Sequence, residues 1–152
     1  MKRFPKALGT LSVVTSVVGL GLGAALPAAA DQGAIDYRQA IYKSIGGHMS
    51  AISGILKREV PHTDDLALHA RGLADLAPVT QHIFPEASAN GRTKARAAIW
   101  DEPEDFAAKR SDFIDAAAGL GAVADADMDQ FVGAFRTLGG TCKACHDDYK
   151  DD

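Results

Sequence analysis

The stretch MDQFVGAFRTLGGTCKACHDDY, residues 128–149, decides how the rest of the chain is interpreted. Its apolar residues recur at spacings of 3, 4, 3, 4, 3 and 4, which places them on one face of an α-helix. That face carries Met128, Phe131, Phe135, Leu138, Cys142, Cys145 and Tyr149. We predict a helix capped by Asp125 or Asp127, with the first four of these side chains buried in a core.

The same face contains the pattern C-x-x-C-H at Cys142, Cys145 and His146. Two cysteines three residues apart on a helix can bond to the two vinyl groups at one edge of a porphyrin. The adjacent imidazole then reaches the iron as an axial ligand. The pattern therefore indicates a c-type haem attachment site, with one covalent haem c bound through both cysteines and its iron ligated by His146.

Three other interpretations of the two cysteines are a disulfide, a thioredoxin-type redox pair and half of a zinc site. A zinc site would need a second pair of ligands, and the chain has no third cysteine. A redox pair usually opens a helix, whereas this pair comes at the end of a helical pattern. An exported chain with two cysteines would otherwise form a disulfide, but the haem motif uses both.

Residues 1–30 have the pattern of a secretory signal peptide. Lys2, Arg3 and Lys6 precede an uncharged apolar run from residue 8 to residue 26, and Ala28-Ala29-Ala30 supplies a cleavage pattern. We predict cleavage near Ala30 and a periplasmic protein made of residues 31–152, with no stable membrane insertion. A retained membrane anchor is the alternative, because the apolar run is long enough to allow it.

The charge of the predicted mature chain limits its partners. The signal contains three of the 16 basic residues and none of the 20 acidic ones, which leaves residues 31–152 with a net charge of −7. Such an acidic chain disfavours binding to nucleic acid or to an anionic membrane. Its 122 residues correspond to one domain.

Three further helical patterns precede residue 128. The first covers 36–57 after a short lead-in, with Arg38, Tyr42, Ile45, Met49, Ile52 and Leu56 on one face. The second covers 63–83, is capped by Thr63 and loosened by Pro78, and has Leu66, His69, Leu73, Leu76, Thr80 and Ile83 on its inner face. The third covers 101–123, after a long loop at 84–98 and a helical turn near Trp100. With no alternating strand pattern, we predict an all-α, antiparallel up-down-up-down four-helix bundle.

The chain resembles cytochrome c′, the four-helix-bundle class of c-type cytochromes. The resemblance rests on GTCKACHDDY at residues 140–149, on Tyr37-Arg38-Gln39 at the start of the first helix and on Ile99-Trp100 before the third. It extends over residues 31–152. The resemblance implies that Arg38 pairs with a haem propionate and that Tyr42 faces the open side of the haem.

Low-spin relatives in this family have a methionine that binds iron at the position of Tyr42. A neutral phenol is a poor iron ligand, and a tyrosine ionises only near pH 10. We therefore predict five-coordinate iron held by His146 alone. Lys150 stands where the family often has arginine, and this departure leaves the proximal polar contact open.

Several residues keep a second interpretation. Tyr42 could be an ordinary core aromatic, and Arg38 a solvated surface charge. Met49 lies on the same helical face as Tyr42 and could bind iron, although a core methionine is commoner. The other histidines, interpreted as surface or hydrogen-bonded side chains, are His48, His62, His69 and His82.

Two functions follow from the resemblance. The chain is predicted to bind small gases such as nitric oxide and carbon monoxide, to transfer electrons to a redox protein, or to do both, and not to be an enzyme. A six-coordinate low-spin electron carrier and a weak haem peroxidase are the alternatives, but a peroxidase would need a distal base that Tyr42 does not supply. The family also implies a possible homodimer through the first two helices.

Overall fold

The computed structural model describes residues 31–152, so the predicted signal at 1–30 lies outside the described residues. The α-helices are α1 (Gln32–Leu56), α2 (Leu66–Leu76), α3 (Ala98–Asp101), α4 (Pro103–Ala122) and α5 (Met128–Tyr149). Three short 3₁₀ helices occupy Thr63–Asp65, Ala77–His82 and Glu86–Ser88. Between residues 31 and 152 there is no strand, and only an isolated bridge joins Ala95 to Lys150. The prediction of an all-α chain is confirmed.

Helix α1 begins four residues earlier than predicted, at Gln32. The carboxylate of Asp31 accepts a hydrogen bond from the backbone nitrogen of Ala34 at 2.9 Å, and this N-cap starts the helix where a lead-in was expected. At the other end, Arg58 adopts the left-handed conformation with φ of 62°. Helix α1 therefore ends at Leu56, before Pro61 is reached.

Helix α2 is shorter than the predicted helix at 63–83. Pro78 has no N–H to donate and its ring crowds the preceding turn, so the α-helix stops at Leu76 and continues as the 3₁₀ helix Ala77–His82. The predicted cap at Thr63 is wrong, because Thr63 lies inside a 3₁₀ turn whose N-cap residue makes no side-chain hydrogen bond. The helical turn predicted near Trp100 is confirmed as α3.

The four long helices pack in sequence, α1 on α2, α2 on α4 and α4 on α5. Two of the four predicted α5 core residues are buried, Phe131 at 2% exposure and Leu138 at 0%. Phe135 is half-buried and packs against the core. The prediction for Met128 is wrong, because it is 47% exposed. Met128 is the first residue of α5, and helical side chains lean toward the N-terminus, away from the neighbouring helices.

A pair of histidines joins α1 to α2. The Nδ1 atoms of His48 and His69 lie 2.9 Å apart, which is hydrogen-bond distance when one ring is the donor and the other the acceptor. Gly72 allows this arrangement, because a Cβ atom at that position would lie 2.7 Å from the His48 ring. His69 was predicted on the inner face of the second helix, but Ala70 and Leu73 hold the buried positions there.

This pair predicts a pH dependence of folding stability. Burial, and then the charge of His69, lower the pKa of His48 in the folded protein from 6.5. The folded state therefore binds fewer protons than the unfolded state. The contribution of neutral His48 to folding stability is complete above pH 6.5 and is lost as the pH falls toward the lowered pKa. Guanidinium unfolding between about pH 5 and pH 7.5 should show stability rising with pH, with a smaller slope after His69→Gln.

The control for this experiment is His82→Gln, because His82 is an exposed histidine outside the pair. It should keep the slope of the unchanged protein. An equal slope in all three proteins would contradict the assignment of the pH dependence to His48.

Candidate functional site

A cavity of about 790 Å³ lies between α1, α4 and α5. Its volume falls within the range of about 300–1,000 Å³ common for cofactor and ligand sites. It occurs where α1 and α5, unlike the neighbouring pairs, do not pack closely on each other. Its walls include Tyr42, Gly46 and Met49 from α1, Phe106, Arg110 and Phe113 from α4, and Cys142, Cys145, His146 and Tyr149 from α5.

The charges around this cavity are all of one sign. Five arginines and lysines line it, and no aspartate or glutamate does, although residues 31–152 are acidic as a whole. The five are Arg38, Lys43, Lys94, Arg110 and Lys150. A flat apolar molecule with two propionates matches an aromatic-lined cavity with cationic side chains and no opposing carboxylates. The residues present therefore fit haem.

Cys142 and Cys145 both face this cavity as half-buried free thiols. Burial raises the pKa of each thiol above its ordinary value. Redox-active cysteines have lowered pKa values, so this environment differs from that of a thioredoxin-type pair. The two side chains line the cavity from one face of α5. Their attachment to a porphyrin stays a prediction.

His146 follows Cys145 on α5 and lines the same cavity. Burial lowers the pKa of its imidazole, and the positive charge of Lys150 lowers it further. The neutral ring is the form that can bind a metal. The role of Lys150 beside a bound haem stays a prediction.

Tyr42 is half-buried and enters the cavity from α1. Its ring meets that of Phe84 edge to face, with the centroids 6.1 Å apart. Burial is the main cause that raises the pKa of Tyr42, so its phenol stays neutral throughout the physiological range. Ionisation is what would make it a good iron ligand.

Arg38 is only 3% exposed, so the alternative of a solvated surface charge is wrong. Its Nη1 donates to Ser88 Oγ at 2.6 Å, and its Nη2 donates to Thr93 Oγ1 at 2.9 Å and to the carbonyl of Ser88 at 3.2 Å. Arg38 also lines the cavity. Its predicted pairing with a propionate stays a prediction.

The segment before α3 contributes to the site in a way that its sequence does not predict. Residues 84–98 have no helical period, yet Phe84, Thr93, Lys94 and Ala95 line the cavity. Ser88, within this segment, is fully buried. Phe84 packs against Tyr42 and Phe106, Thr93 Oγ1 accepts from Arg38, and the Lys94 carbonyl accepts from the Asp151 nitrogen. These partners are distant in the chain, so local periodicity carries no signal for them.

Residues 94–96, which we call the strap, close the segment onto the end of α5. The Lys94 carbonyl accepts from the Asp151 nitrogen at 2.9 Å, and the Arg96 nitrogen donates to the Tyr149 carbonyl at 3.0 Å. Arg96 Nη1 donates to the carbonyls of Asp147 and Asp148 at 2.8 and 3.2 Å. The three bonds donated by Arg96 satisfy the last carbonyls of α5, immediately after His146.

The remaining sequence-predicted ligands fall into two groups. Met49 lines the cavity with Tyr42, but His146 is the one histidine that does so within residues 31–152. His48 and His69 bond to each other, and His62 and His82 are exposed. Within residues 31–152, the cavity wall therefore contains no second histidine.

Comparison with known proteins gives one consistent answer. The sequence model of the Cytochrome C′ family matches residues 33–150. Cytochrome c′ from Pararhodospirillum photometricum is 35% identical over 119 residues, which is 77% of this chain and 95% of that protein.

Solved structures agree with the sequence comparison. Cytochrome c prime from Shewanella frigidimarina superimposes with a TM-score of 0.76 at 34% identity, covering 80% of this chain and 96% of that one. A nitric oxide complex of a mutant cytochrome c prime from Alcaligenes xylosoxidans has a TM-score of 0.73 at 29% identity, covering 82% and 98%. The fold shared with these structures is the four-helix bundle.

Proposed function

Because this chain belongs to the cytochrome c′ family, we propose that it is a periplasmic haem protein whose five-coordinate iron binds small uncharged gases, nitric oxide and carbon monoxide among them. Proteins of this family hold haem c covalently through two cysteines, and Cys142 and Cys145 are the two cysteines of this chain. The proposed role is ligand binding, and not turnover of a substrate.

The observation that carries the proposal is the position of Tyr42. It is the α1 residue that the family resemblance assigns to the open haem face, and it lines the cavity that also contains His146. Burial raises its pKa, which keeps the phenol neutral and unsuited to binding iron. Its ring still fills space beside the iron, so a ligand must be small enough to share the pocket with it or to displace it.

The chain's own residues have distinct roles in this proposal. Cys142 and Cys145 would tether the porphyrin through thioethers, and neutral His146 would supply the nitrogen that binds the iron. Phe106 and Phe113 make the wall apolar, which favours uncharged ligands over ions. Arg38 lies in the same wall. Its buried charge would offset that of a propionate. The haem supplies the iron chemistry.

Intact mass tests the haem attachment directly. The mature protein is expected to exceed the mass of residues 31–152 by one haem, and acid denaturation should not release it, because thioether bonds are covalent. A variant with Cys142→Ala and Cys145→Ala should lose the covalent haem. The matched control is Thr141→Val, which leaves both thiols in place. A protein with the bare polypeptide mass, or with a disulfide, would refute the assignment.

Electron transfer is the second candidate, and Met49 is the observation that favours it. Met49 lines the cavity from the same face of α1 as Tyr42. The thioether of methionine is a good ligand for haem iron. Six-coordinate low-spin iron would reorganise little between oxidation states and would suit a carrier that meets a redox protein. The optical spectrum of the ferrous protein separates the two candidates by spin state.

Assembly and location are part of the same proposal. We expect export by the signal at residues 1–30. We also expect a homodimer through α1 and α2, where Tyr37 and Leu68 expose apolar surface. No helix in the described part of the chain has the length and apolar character needed to cross a membrane.

A further inference from the structure

We propose that Arg38, Ser88 and Thr93 form a clamp that holds Phe84 against Tyr42 and thereby sets how fast a gas reaches the iron. The clamp is defined by these three residues, and Phe84 is the side chain it positions. The inference rests on the proposed function, because it assumes that Tyr42 shields the open face of the haem. It assigns Arg38 a positioning role that does not require contact with the haem.

The bonds of the clamp use both terminal nitrogens of Arg38. Nη1 donates to Ser88 Oγ at 2.6 Å and more weakly to the Ile83 carbonyl at 3.4 Å. Nη2 donates to Thr93 Oγ1 at 2.9 Å and to the Ser88 carbonyl at 3.2 Å. All four acceptors belong to residues 83–93, so one buried guanidinium from α1 fastens both ends of this segment.

Three of these four bonds are buried and the fourth, to Thr93 Oγ1, is partly buried, which makes them more costly to break than the others between α1 and the segment. Arg38 is 3% exposed and Ser88 is fully buried. A buried guanidinium that loses an acceptor keeps its desolvation cost without the compensating bond. The bonds from Gln39 to the Arg92 carbonyl and from the Arg92 nitrogen to Gln32 are exposed, where water replaces a lost partner.

Phe84 transmits the position of the segment to Tyr42. The Arg38 guanidinium carbon lies 4.7 Å from the centroid of the Phe84 ring, a cation–π contact. Phe84 meets Tyr42 edge to face at 6.1 Å, and on other sides it meets Phe106 at 4.9 Å and Trp100 at 6.3 Å. Phe84 is thus held by three neighbours, and its contact with Tyr42 limits the directions in which the tyrosine ring can swing.

Ser88 also anchors its own turn. Its hydroxyl donates to the Pro85 carbonyl at 2.7 Å while accepting from Arg38. The backbone nitrogen of Ser88 donates to the same carbonyl at 2.9 Å. Loss of the Ser88 hydroxyl should therefore loosen both the turn next to Phe84 and its attachment to α1.

The test uses the holoprotein with Ser88→Ala, Thr93→Val and their combination, none of which alters Arg38 or Tyr42. The matched controls are Ser44→Ala and Thr137→Val, whose exposed hydroxyls bond only to carbonyls within their own helices. Two quantities are measured: the rate of carbon monoxide binding to the ferrous form, and amide hydrogen exchange over residues 83–93.

The combined variant should bind carbon monoxide about threefold to tenfold faster than the unchanged protein and exchange faster over 83–93. Thr93→Ser alone, which keeps the hydroxyl, should leave both values like those of the unchanged protein. In a Tyr42→Ala background the clamp variants should change the binding rate no further, because the ring they position is gone.

Three results would overturn the proposal. They are a binding rate and exchange pattern like those of the two controls, a rate increase that persists in full without Tyr42, or a rate increase in Thr93→Ser equal to that in Thr93→Val. Failure of the proposed function is visible separately, as a six-coordinate spectrum of the unchanged protein. The hydrogen-exchange measurement would still test the clamp in that case.

Discussion

Tyr42→Ala is expected to speed the binding of carbon monoxide and nitric oxide to the ferrous protein by about tenfold or more. The tyrosine ring lines the cavity that fits haem. In the proposed five-coordinate protein an incoming ligand would have to displace this ring or wait for it to move. A tenfold change requires the barrier to fall by only about 1.4 kcal/mol. Stopped-flow mixing or flash photolysis of the ferrous protein measures the rate.

Tyr42→Phe is the control that separates the ring from its hydroxyl. It keeps the ring and its edge-to-face contact with Phe84, so binding should stay slow. Tyr42→Met tests coordination, because a thioether at this position is expected to convert the iron to six-coordinate and low-spin. If the unchanged protein already has low-spin iron with a methionine–iron charge-transfer band, the shielding role of Tyr42 is wrong and Met49 becomes the expected ligand.

Phe131→Ala is expected to lower the free energy of unfolding by about 3–5 kcal/mol. Phe131 is 2% exposed within the core shared by α1, α2, α4 and α5, and truncation would leave a cavity there. Guanidinium unfolding of the holoprotein, followed by circular dichroism, measures the change. Leu138→Ala, at a fully buried position, should cost about 2–5 kcal/mol.

Two neighbours on the same helical face provide matched comparisons. Met128→Ala should change stability by no more than about 0.5 kcal/mol, because Met128 is exposed at the start of α5. Phe135→Ala should fall between the two, since its side chain is half-buried. Equal losses at positions 128 and 131 would mean that α5 is packed differently from the arrangement described.

The sequence predicted α5 well because its apolar residues keep the 3, 4 spacing along the whole helix and a capping aspartate marks its start. Asp127 caps it as expected, accepting from the nitrogens of Asp129 and Gln130. The period placed Phe131 and Leu138 correctly but could not place Met128. Periodicity identifies the inner face of a helix but not the point along it at which the neighbouring helices end.

The distal side of the cavity was less predictable. The helical face containing Arg38 and Tyr42 is confirmed, since one is buried and the other half-buried. The partners of Arg38 were not predictable, because Ser88 and Thr93 lie 50 and 55 residues away in a segment without a period. Their arrangement is a product of tertiary hydrogen bonds, which a single sequence does not encode in its local spacing.

The strap at residues 94–96 has a consequence for the order in which the protein matures. Its bonds to residues 147–151 close a loop of more than fifty residues. Closing a long loop costs conformational entropy, so contacts between residues far apart in the sequence tend to form late in folding. The attachment motif lies inside that loop, just before its closing end. We therefore expect the chain to stay open around Cys142, Cys145 and His146 until these bonds form, so that haem attachment there would precede the closing of the strap.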